Sequence, residues 1–263
     1  MSDFNTIKLE INDAVATLTL NRPNAANSMN VELSREVSLA SIIIDEDPTI
    51  RAVIITGKGK MFSAGGDLSA FAADPAKASS IIKEITTYIH AAMARFARME
   101  KPVIIAINGT AAGAGFSLAV AGDLVICAES AKFTMAYTAA GLSPDVSASY
   151  YLPRLIGLRK TQELMLTNRR LSSEEALSWG LVTQVVADNE VLPTAQALAH
   201  KLANGPTLAF GQVKQLLLAS GDNNLEGQLE LESRGIARMA NSSDGQEGVR
   251  AFLEKRHPVF TGQ

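Results

Sequence analysis

Apolar residues in this chain follow two patterns that alternate along its length. Compact apolar runs read as buried strands: Ile7 to Ile11, Ala14 to Leu20, Ala52 to Thr56, Val103 to Ile107, Leu124 to Cys127 and Lys132 to Met135. Between them, apolar residues recur at the three- and four-residue spacing of a helix face. Leu33, Val37, Ala40 and Ile44 form one such set; Ile81, Ile85, Ile89, Ala92 and Phe96 form another. Polar residues mark the boundaries. Asn12-Asp13 fits a hairpin turn, Asn30 a helix cap, and Asp45-Glu46-Asp47-Pro48 a stop. Asp74-Pro75 offers a capping carboxylate followed by proline at the first helical position. Gly57 to Gly66 reads as a glycine-rich loop, Phe116 to Gly122 as a helix, and Ser172 with Glu175 as a capping box. The order strand, strand, helix, repeated with loose spacing, predicts an α/β fold of stacked spiral turns rather than a regular doubly wound sheet. From about Leu192 no strand pattern appears. Helices separated by Asn204-Gly205-Pro206, Gly221-Asp222-Asn223-Asn224 and Ser242-Ser243-Asp244-Gly245 predict a helical C-terminal region that packs on the core or on a neighbouring subunit. The expected division is a core of residues 1–200 and a helical region of 201–263.

Composition narrows the class. The 263 residues suffice for one large domain, or a domain with an appendage. Apolar residues make up 47% but aromatics only 5%, so Ala, Val, Ile and Leu must build the core. A net charge of −3 argues against a general nucleic-acid binder while leaving room for a local basic pocket. The single cysteine, Cys127, forms no intrachain disulfide and fits a reducing cytoplasm. Met1-Ser2-Asp3-Phe4 carries no basic-then-apolar leader. Val103 to Gly122 is uncharged and as long as a membrane span, but Asn108, Gly109, Thr110, Gly113, Gly115 and Ser117 interrupt it. It reads better as a buried strand, a turn and a buried helix. No spacing of His, Cys and carboxylates suggests a metal site.

Four features are candidates for chemistry. Phe62-Ser63-Ala64-Gly65-Gly66-Asp67-Leu68 is either a plain glycine turn or a loop that points the Gly66 amide into a cleft. Asn108 to Gly115 lies between a buried strand and a buried helix. Its small residues either permit close packing or present free amides to an anion or a developing oxyanion. Gly141-Leu142-Ser143-Pro144-Asp145 leaves Asp145 as a helix cap or, in an apolar cleft, a base or nucleophile. His90 flanks an apolar helix face, where a lone histidine is ordinarily structural; His200 and His257 read as surface helix positions. Cys127 reads as an inert core thiol.

In order, these segments resemble the enoyl-CoA hydratase/isomerase, or crotonase, superfamily. The matching pieces are Leu20-Asn21-Arg22-Pro23, Phe62 to Leu68, Lys101-Pro102-Val103 running to Asn108-Gly109, Ala112-Gly113-Ala114-Gly115, Ala121-Gly122-Asp123, Gly141 to Asp145, Glu175-Ala176, Trp179-Gly180-Leu181-Val182 and Glu247 to Arg256. They cover nearly the whole chain. The resemblance implies a crotonase-like spiral of ββα turns with a helical C-terminal trimerisation region, assembled as a homotrimer or hexamer. It implies an acyl-CoA thioester as substrate, with coenzyme A part of that substrate and no separate cofactor. It places the oxyanion hole at the Gly66 and Ala114 amides. CoA contacts fall to the Asn24, Ala25, Ala26 and Asn27 segment and to the loop of Ala64, Asp67 and Leu68, and Tyr137 is expected among the substrate-binding residues. Lys255 matches a tail lysine that in some members reaches the CoA of a neighbouring subunit.

The departures bear on the reaction. Ser117 and Tyr137 stand where family hydratases place two glutamates, which speaks against hydration by that route. Asp145 matches the catalytic aspartate of the 1,2-epoxyphenylacetyl-CoA isomerases, so a proton shuttle is expected: a γ proton removed, a dienolate formed, a proton returned at another carbon. The chain also resembles 4-chlorobenzoyl-CoA dehalogenases over Asp145 to Tyr150 and Glu163 to Arg169. There Asp145 would be the nucleophile and His90 a catalytic histidine, although those enzymes carry an aromatic residue at Gly66 and a tryptophan at Tyr137. The isomerase is the favoured expectation, with the dehalogenase, a hydratase and a non-catalytic acyl-CoA binder as alternatives.

Overall fold

The computed structural model describes residues 4–263; the leader reading of Met1 to Asp3 lies outside them. The chain opens as a hairpin, β1 (Ile7–Asn12) and β2 (Val15–Leu20), followed by α1 (Val31–Glu46). Three turns of the spiral follow. The first is β3 (Ala52–Gly57), β4 (Met61–Ser63), α2 (Leu68–Ala73) and α3 (Ala78–Arg98); the second is β5 (Val103–Ile107), β6 (Thr110–Ala112) and α4 (Ala114–Ala119). The third is β7 (Leu124–Ala128), β8 (Lys132–Thr134) and α5 (Ala148–Thr167). The chain continues through β9 (Leu171–Ser172), α6 (Ser173–Ser178), β10 (Gln184–Val186) and α7 (Val191–Ala203). It ends in α8 (Thr207–Ala219), α9 (Leu225–Ala240) and α10 (Ser243–Leu253).

Each turn gives its first strand to one sheet and its second to another. The six-stranded sheet runs β1-β2-β3-β5-β7-β10, and the four-stranded sheet β4-β6-β8-β9. Among the described residues, only the β1–β2 and β8–β9 pairs are antiparallel. Every residue of β3 and β5 is buried, as a parallel strand covered on both faces requires. Ile54, Ile55, Ile104, Ile105, Leu18 and Phe116 belong to the resulting core. This is the α/β architecture expected from the pattern.

Several boundaries differ from expectation. The hairpin turns at Asp13-Ala14, both at positive φ (45° and 65°), one residue beyond the expected Asn12-Asp13. The long helix does not start at Asp74-Pro75: the Asp74 carboxylate meets Lys77 Nζ at 3.0 Å instead of capping, and α3 begins at Ala78. The helix expected over Phe116 to Gly122 begins at Ala114. Strand β4 interrupts the expected glycine loop. Asn30 and Ser172 cap as expected, the latter in a full capping box. His200 lies on α7, but His257 lies beyond α10 rather than on a helix. Residue 200 falls inside α7, which packs on β3, β5 and β7, so the last helix of the core runs past that division.

Candidate active site

The oxyanion candidates are built by two loops in contact. Backbone bonds from Met29 N–H to Gly65 C=O (2.7 Å) and from Asp67 N–H to Met29 C=O (3.0 Å) flank Gly66. This parallel bridge leaves the Gly66 N–H pointing away from Met29. The second loop ends at Gly113, whose φ of 51° with ψ −128° is open only to glycine. That turn sets Ala114 as the first residue of α4, with its N–H outside the helix ladder. Among the described residues neither the Gly66 nor the Ala114 N–H has a hydrogen-bond partner. A Cβ at Gly65 would stand 2.8 Å from the Ala112 carbonyl oxygen and 2.9 Å from the Ala114 nitrogen, so glycine there lets the loops meet.

Both amides belong to residues lining a cleft of about 330 Å³. Met29, Leu68, Phe71, Ile82, Ile85 and Leu142 supply apolar wall, and Ala64 and Tyr137 also line it. Asp145 is the one acidic residue among the described lining residues. It is half-buried and caps no helix: Ser147 precedes α5, while Asp145 Oδ1 accepts the Tyr137 hydroxyl at 2.5 Å. The Ser117 and Tyr137 hydroxyl oxygens lie 2.9 Å apart. Since Tyr137 donates to Asp145, Ser117 is the donor in that pair, its hydroxyl shared with the Gly113 carbonyl at 3.3 Å, and a chain of hydroxyls ends on the carboxylate. Burial first, then the charge of Asp145, pushes the Tyr137 hydroxyl well above the usual phenol range, so it remains a donor. No local pattern signals this chain of hydroxyls, because its members meet only through the fold.

Ala64, Gly66, Leu68, Ala114, Tyr137 and Asp145 thus share one cleft, whereas Asn24, Ala25, Ala26, Asp67, His90 and Lys255 are not among its lining residues. The Asn24 segment adjoins the cleft loop: Ala64 N–H donates to Ala26 C=O at 2.9 Å. Fully buried Asn27 ties them further, its amide donating to the carbonyls of Lys58, Met61 and Phe62. Asp67 pairs with Arg22 at 3.0 Å, and Arg22 also donates to Ser28 C=O at 2.6 Å. Burial would raise the Asp67 carboxyl, but hydrogen bonds from Ser69 and Arg22 outweigh it and hold it low. Lys255 is exposed beyond α10, at φ 53°. His90, on α3, is exposed, yet its Nε2 accepts the Val146 N–H at 3.2 Å. Cys127 is buried, and burial pushes its thiol up to about 12. No group of three or more potential metal ligands occurs among the described residues, and no helix there is long and apolar enough to cross a membrane.

Two sheets joined by ββα turns around a cleft with paired free amides define a class of acyl-CoA enzymes. The chain belongs to the family described as enoyl-CoA hydratase/isomerase, whose sequence profile matches residues 10–263. It is 43% identical over 255 residues to the 1,2-epoxyphenylacetyl-CoA isomerase of Escherichia coli strain K12, covering 96% of this chain and 97% of that one. It is 38% identical to a probable enoyl-CoA hydratase of Rhodobacter capsulatus, covering 99% of each. An enoyl-CoA hydratase structure from Polaromonas sp. JS666 superposes with a TM-score of 0.92 at 34% identity, covering 97% of this chain and 99% of that chain.

Proposed function

We propose that the protein is an isomerase-type acyl-CoA enzyme in which Asp145 shuttles a proton along an enoyl thioester. The observation that carries this reading is the Tyr137–Asp145 hydrogen bond at 2.5 Å inside the cleft that also holds Gly66 and Ala114. Tyr137 occupies Oδ1 and leaves the second carboxylate oxygen for substrate. With a 3-enoyl thioester the shuttle runs in the opposite sense to γ-proton removal: that oxygen takes the proton from the carbon beside the carbonyl. The electron pair of the broken C–H bond moves onto the thioester oxygen, where the Gly66 and Ala114 N–H groups receive the charge. Each such donor lowers the barrier by about 3 kcal/mol. Asp145 then returns the proton at the far end of the dienolate, and the double bond has moved.

The Asn24 to Asn27 segment and the Ala64 to Leu68 loop hold the CoA portion, which enters as part of the substrate with no separate cofactor. The apolar residues exposed on the last two helices, Leu225, Leu229, Ile236, Val249, Phe252 and Leu253, form the assembly face of a homotrimer or hexamer. Lys255 then reaches a neighbour's CoA. A buried free thiol suits a cytoplasmic location.

A second reading, hydrolytic dehalogenation of an aryl thioester, draws on the approach of His90 to the Asp145 turn. One experiment tests both. The protein and its Asp145→Asn variant are given a 3-enoyl-CoA and, separately, 4-chlorobenzoyl-CoA, following 2-enoyl thioester absorbance and free chloride. Double-bond migration lost in Asp145→Asn is the expected result. Chloride release lost in both Asp145→Asn and His90→Gln would establish the dehalogenase instead. Thioester binding with unaltered reactions in Asp145→Asn would point to a non-catalytic binder, and water addition to the double bond would restore the hydratase.

A further inference from the structure

Asp145 opens a turn that an ordinary backbone does not adopt freely. Val146 has φ 50° and Ser147 φ 68°, two consecutive non-glycine residues in the left-handed region. A β-branched side chain is especially disfavoured there, because its Cβ substituents crowd the backbone. Val146 is 1% exposed and lines the cleft, so its N–H has lost water. That N–H has a partner 56 residues away in sequence, the Nε2 of His90 at 3.2 Å. Because the amide donates, Nε2 is the bare nitrogen and the imidazole proton sits on Nδ1. His90 follows Ile85 and Thr86 on α3, and both line the same cleft. One wall helix therefore reaches across to hold the turn that carries the carboxylate.

We infer that His90 is a positioning residue: its Nε2 anchors the Val146 amide, keeps the turn in its left-handed form, and so keeps Asp145 against Tyr137 and facing the cleft. The role rests on the reading of Asp145 as the proton-transferring group. It differs from a catalytic base, because the nitrogen that would take a proton is already engaged by an amide. A buried amide left without its acceptor, at a residue already in a strained conformation, gives the turn two reasons to relax. A shift of about 1 Å in a reacting group is enough to cost on the order of a hundredfold in rate.

Three substitutions separate the roles. His90→Gln places a carbonyl oxygen the same number of bonds from Cα as Nε2, so it can accept the amide. His90→Phe keeps a ring and removes the acceptor. Val146→Gly accepts positive φ without strain and makes the anchor less necessary. The first readout is amide hydrogen exchange at Val146 in substrate-free protein, with exchange in the centre of α3 as the folding control. The second is the kinetics of double-bond migration. His90→Phe is expected to speed Val146 exchange and lower kcat by about tenfold or more with KM unchanged, while His90→Gln stays close to the parent. In the Val146→Gly background, His90→Phe is expected to cost less than about threefold relative to Val146→Gly alone. A Gln variant no better than Phe, an undiminished His90→Phe effect in the Val146→Gly background, or unchanged Val146 exchange in His90→Phe would each overturn the inference. If exchange responds as expected while Asp145→Asn keeps full activity, the anchor stands and the proton-shuttle reading falls.

Discussion

Tyr137→Phe tests the arrangement around Asp145 most directly. The substitution keeps the ring that lines the cleft and removes one oxygen. That oxygen donates to Asp145 Oδ1 at 2.5 Å and accepts from Ser117 at 2.9 Å. A hydrogen bond to a charged group contributes about 1.5–3 kcal/mol. Two effects of its loss oppose each other. The carboxylate becomes more basic, which favours proton removal, and it loses the contact that fixes its plane, which disfavours it. Basicity enters the rate only fractionally, whereas orientation enters in full. If most of the bond energy serves orientation, kcat falls by about 10- to 150-fold, at 1.36 kcal/mol per tenfold. KM should change little, since the loops proposed to hold CoA are untouched. Ser117→Ala removes the outer donor and its longer bond to the Gly113 carbonyl but leaves the Tyr137–Asp145 bond, so a loss below about threefold is expected. The assay is the rise of 2-enoyl thioester absorbance from a 3-enoyl-CoA, measured for both variants across pH. Because burial and the Asp145 charge push the Tyr137 hydroxyl up, the parent should show no alkaline loss of kcat from tyrosine ionisation near the ordinary value of about 10. Parental kcat in Tyr137→Phe, or equal losses in the two variants, would refute the reasoning.

Three further outcomes are expected. Ala114→Pro deletes one amide donor at the first position of α4, where proline is tolerated, and should lower kcat by about 10²- to 10³-fold with the melting temperature nearly unchanged, checked by kinetics and thermal unfolding. Lys214 is buried against Asp123 at 2.8 Å and also donates to the carbonyls of Phe96 and Lys101. Asp123 is partly exposed and keeps the Val103 N–H at 2.7 Å, so Lys214→Met mainly orphans the two carbonyls and should cost about 1–3 kcal/mol, read as a lower denaturant midpoint. Cys127 should resist thiol reagents in the folded protein at neutral pH. The folded state keeps its thiol proton to about 12 while the unfolded chain releases it near 9.0, so stability should fall as pH rises across that window, and Cys127→Ala should flatten the fall.

The spiral is legible in the sequence because strands buried on both faces leave unbroken apolar runs, as in Val103 to Ile107, and because α1 and α3 carry helix-period faces. Three-residue strands such as β4 and β6 carry too little pattern to register; their pairing is imposed by the longer strands of the first sheet. The hairpin turn falls one residue from its expected place because Asn12 and Asp13 are the chemically suited pair. The register Asn12↔Val15, continuous with β2 against β3, instead puts Ala14 at φ 65°. At the site, the glycine loops and Asp145 stand out as motifs. Ser117, Tyr137 and His90 are also singled out, but their contacts are not: the Ser117–Tyr137 and Tyr137–Asp145 bonds and the Val146 anchor on His90 join residues up to 56 apart and form only through packing. Arg22 is visible as part of Leu20-Asn21-Arg22-Pro23, but its pairing with Asp67, 45 residues on, has no local signal.

Exchanging two carboxylates for two hydroxyls changes what the cleft can do with water. Hydration requires one group to take a proton from water and another to deliver a proton to carbon. Tyr137 holds its proton more tightly than a free phenol and directs it to Asp145, so it is poorly suited to either task. In the proposed shuttle Asp145 alone removes and returns the same proton, because the intermediate lives between two events at one oxygen. The surrounding wall favours that sequence. Met29, Leu68, Phe71, Ile82, Ile85 and Leu142 offer water few hydrogen bonds, and in the proposed reaction the protonated Asp145 is, among the described residues, the one carboxylic acid lining the cleft that can quench the dienolate. A hydroxyl chain behind a single carboxylate therefore supports the proposed internal proton return over water addition.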